Sequence, residues 1–262
     1  MHIKVLGCHG ADQFIDGPAG RVQHESCGFL IDDTVLLDAG TIGARLTLSE
    51  QRRIRFVLLS HLHFDHIKSL PTLVDNLAHV FDEPLIVMAT EPVLQGLREH
   101  VFNGKVYPNF FELPNRKRPV LQGRALEAGK SVTVLHLEVL PVAVNHSVPT
   151  VGYIVKDGSA AWLYSADTDE TEEIWVQARA VSNLKAAFIE SSFPNELSAI
   201  AKQAKHLTPA LLSKEWAKVH NSHAHVYAYH LKPPFHEVIT RQLETLGIPN
   251  LSVLREGQEL HL

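Results

Sequence analysis

A chain of 262 residues, 45% of them hydrophobic, carries enough apolar material for one large core or two small ones. A net charge of −5 gives no general basic surface, which argues against nucleic acid or an anionic membrane as partner and for a small, locally bound molecule. Two cysteines are too few for a disulfide framework, and neither a signal-like leader nor an apolar run of membrane-spanning length is seen, so a cytoplasmic protein is expected.

Short runs rich in Val, Ile and Leu, bounded by Gly, Asp, Asn or Pro, read as strands. In chain order they are IKVLG, CGFLI, TVLLDAG, RFVLLS, PLIVMAT, VTVLHLEVLPVAV, VGYIV, AWLYSAD, AAFIESS, HVYAYHL and LSVLREG. Cys8 and Cys27 sit beside the first two and read as buried free thiols. Helical spacing runs through DHIKSLPTLVDNLAHVF, EPVLQGLREHVF, DETEEIWVQARAVS, TPALLSKEWAKVH and FHEVITRQLETLG. Thr208 followed by Pro209 supplies an N-cap and first-turn pair for the fourth helix. No linker divides the chain, so residues 1–262 are expected to form a single layered α/β unit. The stretch from Asn103 to Gly123 has no clean period and holds three prolines; it is expected as a loop insertion at about 103–123.

The chain has 17 histidines, more than packing needs. Three of them, with a carboxylate, crowd into LLSHLHFDHIKSL just after an apolar run. On an extended segment His61 and His63 share one face, and His66 falls in the first turn of the helix that follows. Asp65 sits at that helix start, where a carboxylate is favoured in any case. Three imidazoles and a carboxylate packed together without a cation would be poorly matched, whereas a divalent metal satisfies them all.

The run HLHFDH resembles the HxHxDH signature of the metallo-β-lactamase superfamily. That resemblance implies an αββα sandwich, with further ligands arriving at later strand ends. His146 in PVAVNHSVPTVGY, Asp167 in LYSADTDE and His230 in VYAYHLKP occur in the family's order. Carried over, one metal would take His61, His63 and His146, the other Asp65, His66 and His230, with Asp167 between them. Asp38 in LLDAGT matches a supporting Asp of the family, or is a turn former ahead of Gly40. Two divalent ions are implied; zinc is the default for this donor set, with manganese and iron as substitutes.

Four further stretches, LDAGT, HLHFDHIKSLPTLVDN, VFNGKVYPNFFELP and FIESSFPNE, are similar to the class II cyclic-nucleotide phosphodiesterases. This implies hydrolysis of a 3′,5′-cyclic nucleotide (cAMP or cGMP) to the 5′-monophosphate through attack by a metal-bridging hydroxide. In that reading Asn103, Tyr107 and Phe110 flank the base, with Asn109 where the family commonly has an acid. Asp65, His206 and Glu190 form the catalytic set, His206 donating a proton to the leaving oxygen and Glu190 orienting it. The same ligands are compatible with a ribonuclease Z-like tRNA-processing nuclease, with a redox protein, and with a non-catalytic metal-binding module. A homodimer stays open. The late histidines His220, His223, His225 and His236 are not taken as a further metal site; His223 and His225 are expected in the loop and strand start ahead of His230, exposed at the surface.

Overall fold

In the strand Leu184–Glu190, Ala186 and Phe188 enter one hydrophobic cluster while Ala187 and Ile189 enter another. The period of two along an extended chain thus gives each sheet two apolar faces. The computed structural model describes residues 1–17, 20–80, 83–220 and 223–262. Two seven-stranded mixed sheets face each other. The first runs in the order Leu121–Leu126, Leu85–Thr90, Phe56–Leu58, Val35–Leu37, Gly28–Ile31, His2–Gly7, Glu259–His261. Its first four strands are parallel and the rest antiparallel. The second runs Val132–Val134, Leu137–Ala143, Val151–Lys156, Ala161–Tyr164, Leu184–Glu190, His225–Tyr229, Leu251–Val253, parallel from its fourth strand onward.

Between the sheets Phe29 from the first packs edge-on against Trp162, Tyr164, Phe188 and Tyr229 from the second, with ring centroids 5.3 to 6.1 Å apart. The helices Leu70–Leu77 and Glu91–Gly96 cover the outer face of the first sheet through Leu73, Val74, Leu77 and Leu94. Glu173–Arg179, Pro209–Ala217 and His236–Glu244 cover the second through Trp175, Leu212, Trp216 and Ile239. The layers are therefore helix, sheet, sheet, helix, the expected αββα sandwich. No helix among the described residues is long and apolar enough to cross a membrane.

Several expectations change in detail. The helix expected over 65–81 is two pieces, Phe64–Ile67 and Leu70–Leu77, with Pro71 in the first turn of the second, where its missing N–H costs nothing; Phe81 lies outside the described residues. VTVLHLEVLPVAV is not one strand but a hairpin, turned at Leu135 with φ 55°. No Gly or Asn marks that turn. The insertion expected to 123 ends earlier, because Leu121, Gln122 and Gly123 already pair with Leu85, Ile86 and Val87. Within it, Pro114–Asn115 pairs with Arg118–Pro119 in a small hairpin. A second hairpin, Gln13–Gly17 with Gly20–His24, and the strand Glu259–His261 were not expected. Both cysteines are free and buried, and Thr208 caps its helix by accepting from the Leu211 N–H at 3.4 Å.

Phe188 touches Phe29, Trp162 and Tyr227 across the central layer. Phe188→Ala is expected to cost about 3–5 kcal/mol in urea unfolding; a loss under about 1 kcal/mol would mean that the two sheets do not depend on this contact.

Candidate metal centre

The site forms where strands of both sheets end at one edge of the sandwich. Asp38 follows Val35–Leu37, and Ser60 and His61 follow Phe56–Leu58, whose last residue pairs with Leu37. From the second sheet, His146 follows Leu137–Ala143, Asp167 follows Ala161–Tyr164, and Glu190 and His230 close neighbouring parallel strands in which Glu190 pairs with Tyr229. The backbone is left-handed at Asp38, Ala166, Lys205 and His230, with φ between 51° and 62°. Such conformations cost roughly 1–3 kcal/mol each and persist where packing enforces them, often at functional sites. Gly40 is required by contact: a Cβ there would lie 2.0 Å from the Asp65 carbonyl oxygen.

All seven residues expected as ligands meet. Asp167 is buried at the centre, its Oδ2 lying 3.3 Å from His230 Nε2, 3.4 Å from His66 Nε2, 3.7 Å from His61 Nε2 and 4.0 Å from His146 Nε2. His63 Nδ1 faces His146 Nε2 at 3.1 Å, and His66 Nε2 faces His230 Nε2 at 3.3 Å. Asp65 Oδ2 completes the second group, 3.3 Å from His230 Nε2. The result is two overlapping sets, His61, His63, His146 and Asp167, and Asp65, His66, Asp167 and His230, each with four donor atoms within 4.8 Å of one another.

The outward nitrogens are held by the protein. His66 Nδ1 donates to Asp38 Oδ2 at 2.7 Å and His146 Nδ1 to the Lys205 carbonyl at 2.9 Å. His61 Nδ1 meets Ser60 Oγ at 2.9 Å, and His230 Nδ1 meets Ser192 Oγ at 2.8 Å. With Nδ1 occupied, Nε2 of each ring is left to present a lone pair inward. Asp38 is buried and also accepts from the Ser60 N–H, Ser60 Oγ and Tyr164 Oη at 2.6 to 2.8 Å. Its turn-forming alternative is therefore outweighed by a direct hold on His66. Ser60, Tyr164 and Ser192 were not singled out from sequence; only their positions next to strand ends that carry His61, Asp167 and Glu190 could have marked them.

Burial holds His61, His63 and His146 below the usual histidine range. Burial also disfavours charge on His66, but the carboxylates of Asp167 and Asp38 outweigh it and push His66 well up. Asp167 would be pushed up by burial, yet the His230 and His66 imidazoles hold its carboxyl well below the carboxylate range. Two atoms of the cluster, His61 Nε2 and Asp167 Oδ1, are buried with no hydrogen-bond partner. Orphaned atoms of this kind are costly in a dry interior. A nitrogen and oxygen donor set converging on them fits divalent ions such as zinc.

His206 and Glu190 lie beside this cluster. The His206 ring stacks on His230 with centroids 5.4 Å apart, and its Nδ1 donates to Glu190 Oε1 at 2.8 Å. Glu190 is wholly buried and is further bound by the Thr168 N–H and Ser192 Oγ at 2.8 and 2.7 Å. Burial disfavours the charged form of His206, but Glu190's charge and hydrogen bond prevail and raise its pKa.

The residues expected to flank a base are arranged otherwise. Phe110 is only 6% exposed and packs against Phe102, so its ring is part of the core and no stacking platform. Tyr107 leans half-buried on the same two rings. The Asn103 side chain is spent on a turn, donating to the Glu99 carbonyl and accepting from the Lys105 and Val106 N–H groups at 2.8 to 2.9 Å. Phe64, between His63 and Asp65, is instead 71% exposed.

Residues 33–230 match the model of the beta-lactamase superfamily domain. The chain is 25% identical over 236 residues to a probable 3′,5′-cyclic-nucleotide phosphodiesterase of Yersinia pestis, a match covering 80% of this chain and 65% of that protein. It is 30% identical over 145 residues to a ribonuclease Z of Ignicoccus hospitalis, covering 54% of this chain and 44% of that one. The solved structure of unliganded yeast PDE1 superposes with a TM-score of 0.78 at 19% identity, covering 100% and 99% of the two chains.

Asp38→Asn keeps the size of the side chain but loses the charge behind His66. A fall of about 10–100-fold in zinc affinity is expected by chelator competition; unchanged affinity in a folded variant would show that Asp38 does not tune this centre.

Proposed function

We propose that this chain, which belongs to the beta-lactamase superfamily, hydrolyses 3′,5′-cyclic nucleotides such as cAMP and cGMP to 5′-monophosphates, with two divalent ions held at the Asp167 centre. The observation that carries the reading is the pair of four-donor sets sharing Asp167, with a buried His–Glu pair alongside. The phosphodiesterase of Yersinia pestis supports the substrate class, and the chain spans about two thirds of its length.

His61, His63 and His146 would hold one ion, and Asp65, His66 and His230 the other, with Asp167 shared. Ions bound there supply a water made nucleophilic near neutral pH and neutralise the charge of a phosphoester. The chain's own contribution begins with positioning. Asp38, Ser60, Ser192 and the Lys205 carbonyl fix the imidazoles before substrate arrives, so little reorganisation is left for the reaction itself. Water adds to phosphorus, the bond to the 3′ oxygen breaks, and that oxygen takes a proton. His206 is placed to give it: with Nδ1 committed to Glu190, Nε2 is the nitrogen left to deliver a proton. Phe64 offers the exposed ring face for the base, in place of Phe110.

The nuclease reading draws on the ribonuclease Z similarity, which covers 44% of that relative. A panel of cAMP, cGMP, bis-p-nitrophenyl phosphate and a precursor tRNA separates the two. Formation of 5′-nucleotide from a cyclic mononucleotide, lost on chelation and in Asp167→Ala, is expected; tRNA cleavage without cyclic-nucleotide turnover would instead favour the nuclease. His206→Ala is expected to lower kcat about 100- to 10,000-fold with KM little changed. Phe64→Ala should raise KM several-fold and leave kcat nearly intact, so an unaltered KM would remove Phe64 from the base site.

A further inference from the structure

A second cluster of imidazoles lies outside the centre just described. His9 follows the strand His2–Gly7, His24 ends the strand Gly20–His24, His236 begins the helix His236–Glu244, and Glu256 lies in the turn ahead of the last strand. His9 Nδ1 stands 2.5 Å from Glu256 Oε1 and 3.2 Å from His24 Nδ1, and the latter two atoms are 3.9 Å apart. A ligating nitrogen of His236 lies within 4.8 Å of those of His9 and His24, with ring centroids 5.3 and 4.8 Å away. Donors around a tetrahedral zinc ion, each about 2.0–2.1 Å from the metal, are themselves about 3.3 Å apart. The observed separations bracket that value.

Protein atoms alone do not satisfy this arrangement. If His9 Nδ1 carries a proton for Glu256, it has no lone pair for His24; if it accepts from His24, its lone pair faces a carboxylate oxygen at 2.5 Å. A divalent ion at the convergence point removes the conflict by accepting all the facing lone pairs. The cluster opens on a surface cleft of about 700 Å³, also lined by Arg21, Arg45 and Arg255, so an ion has a way in.

We propose that His9, His24, His236 and Glu256 form a second metal site, of three nitrogens and one carboxylate oxygen, that takes a divalent ion of the zinc type. Burial and the neighbouring His9 push His24 down to about 4, so its imidazole is neutral at pH 7, as ligation requires. The ion would staple the hairpin of Gln13–Gly17 and Gly20–His24, the helix His236–Glu244 and the turn at Glu256 onto the segment Cys8–Gly10. That segment supports the first centre: the Cys8 carbonyl accepts from the His230 N–H at 2.7 Å, and a Cβ on Gly10 would lie 2.9 Å from His230 Cε1. The site thus has a structural role next to a ligand of the first centre, and it does not depend on what that centre hydrolyses. His236, not expected as a metal ligand, is half-buried in it.

The test is zinc per chain, by mass spectrometry after equilibration with zinc and dialysis, for the wild type, His236→Asn, Glu256→Gln and His63→Ala, each checked by circular dichroism. The wild type is expected to hold one more equivalent than His236→Asn or Glu256→Gln, and those two variants to keep turnover of bis-p-nitrophenyl phosphate. His63→Ala should lose zinc from the first centre and keep this equivalent. Equal zinc content in the wild type and the folded His236→Asn and Glu256→Gln variants overturns the site, whatever the outcome at His63. Should either variant misfold, titration of the stripped wild type against a chromophoric chelator decides: three equivalents support the site, and two or fewer overturn it.

Discussion

The centre depends on one electrostatic constraint: a carboxylate, Asp167, buried with four imidazole nitrogens within 4.0 Å of one of its oxygens. Taking such a charge out of water costs several kcal/mol unless it is matched. Imidazoles whose outward nitrogens are already engaged match it incompletely, because the inward lone pairs of the neutral ones repel both the carboxylate and one another. Divalent cations bound among these donors would resolve this, and the surrounding structure holds the donors in place for it. The left-handed residues Asp38, Ala166 and His230 turn the chain where strands end, and left-handed Lys205 ends the helix Ser198–Ala204. Asp38, tied to Ser60, His66 and Tyr164, couples the first sheet to the second directly behind the cluster.

The sandwich explains why residues so far apart in sequence meet. Parallel pairing sets Leu37 beside Leu58 and Glu190 beside Tyr229, so the loops after those residues leave the sheets at the same edge. The aromatic layer of Phe29, Trp162, Tyr164, Phe188 and Tyr229 then fixes the spacing of the two sheets. Tyr164 belongs to both systems, packed in the core and bonded to Asp38. Packing and site geometry are coupled through that side chain.

Much of this was legible in the sequence. The β-branched runs located the strands because burial on both faces demands continuous apolar stretches. HLHFDH located the cluster because imidazoles at that spacing have few uses besides a cation. What escaped depends on contacts that no local pattern encodes. The Val132–Val134 hairpin turns at Leu135, which is apolar yet 51% exposed, and the edge strand Leu121–Leu126 mixes Gln, Gly and Arg into its apolar residues. Phe110 and Phe64 look alike in sequence, and only the fold buries one and exposes the other. His9, His24 and His236 are spread over most of the chain and become a cluster only when its two ends pair, His2 with His261 and Ile3 with Leu260.

Anomalous diffraction at the zinc edge from zinc-equilibrated crystals tests the central claim most directly. Two strong peaks flanking the Asp167 carboxylate are predicted, one among His61, His63 and His146, the other among Asp65, His66 and His230. A fully occupied crystal with no peak at Asp167, or with peaks only at surface histidines, would contradict the account.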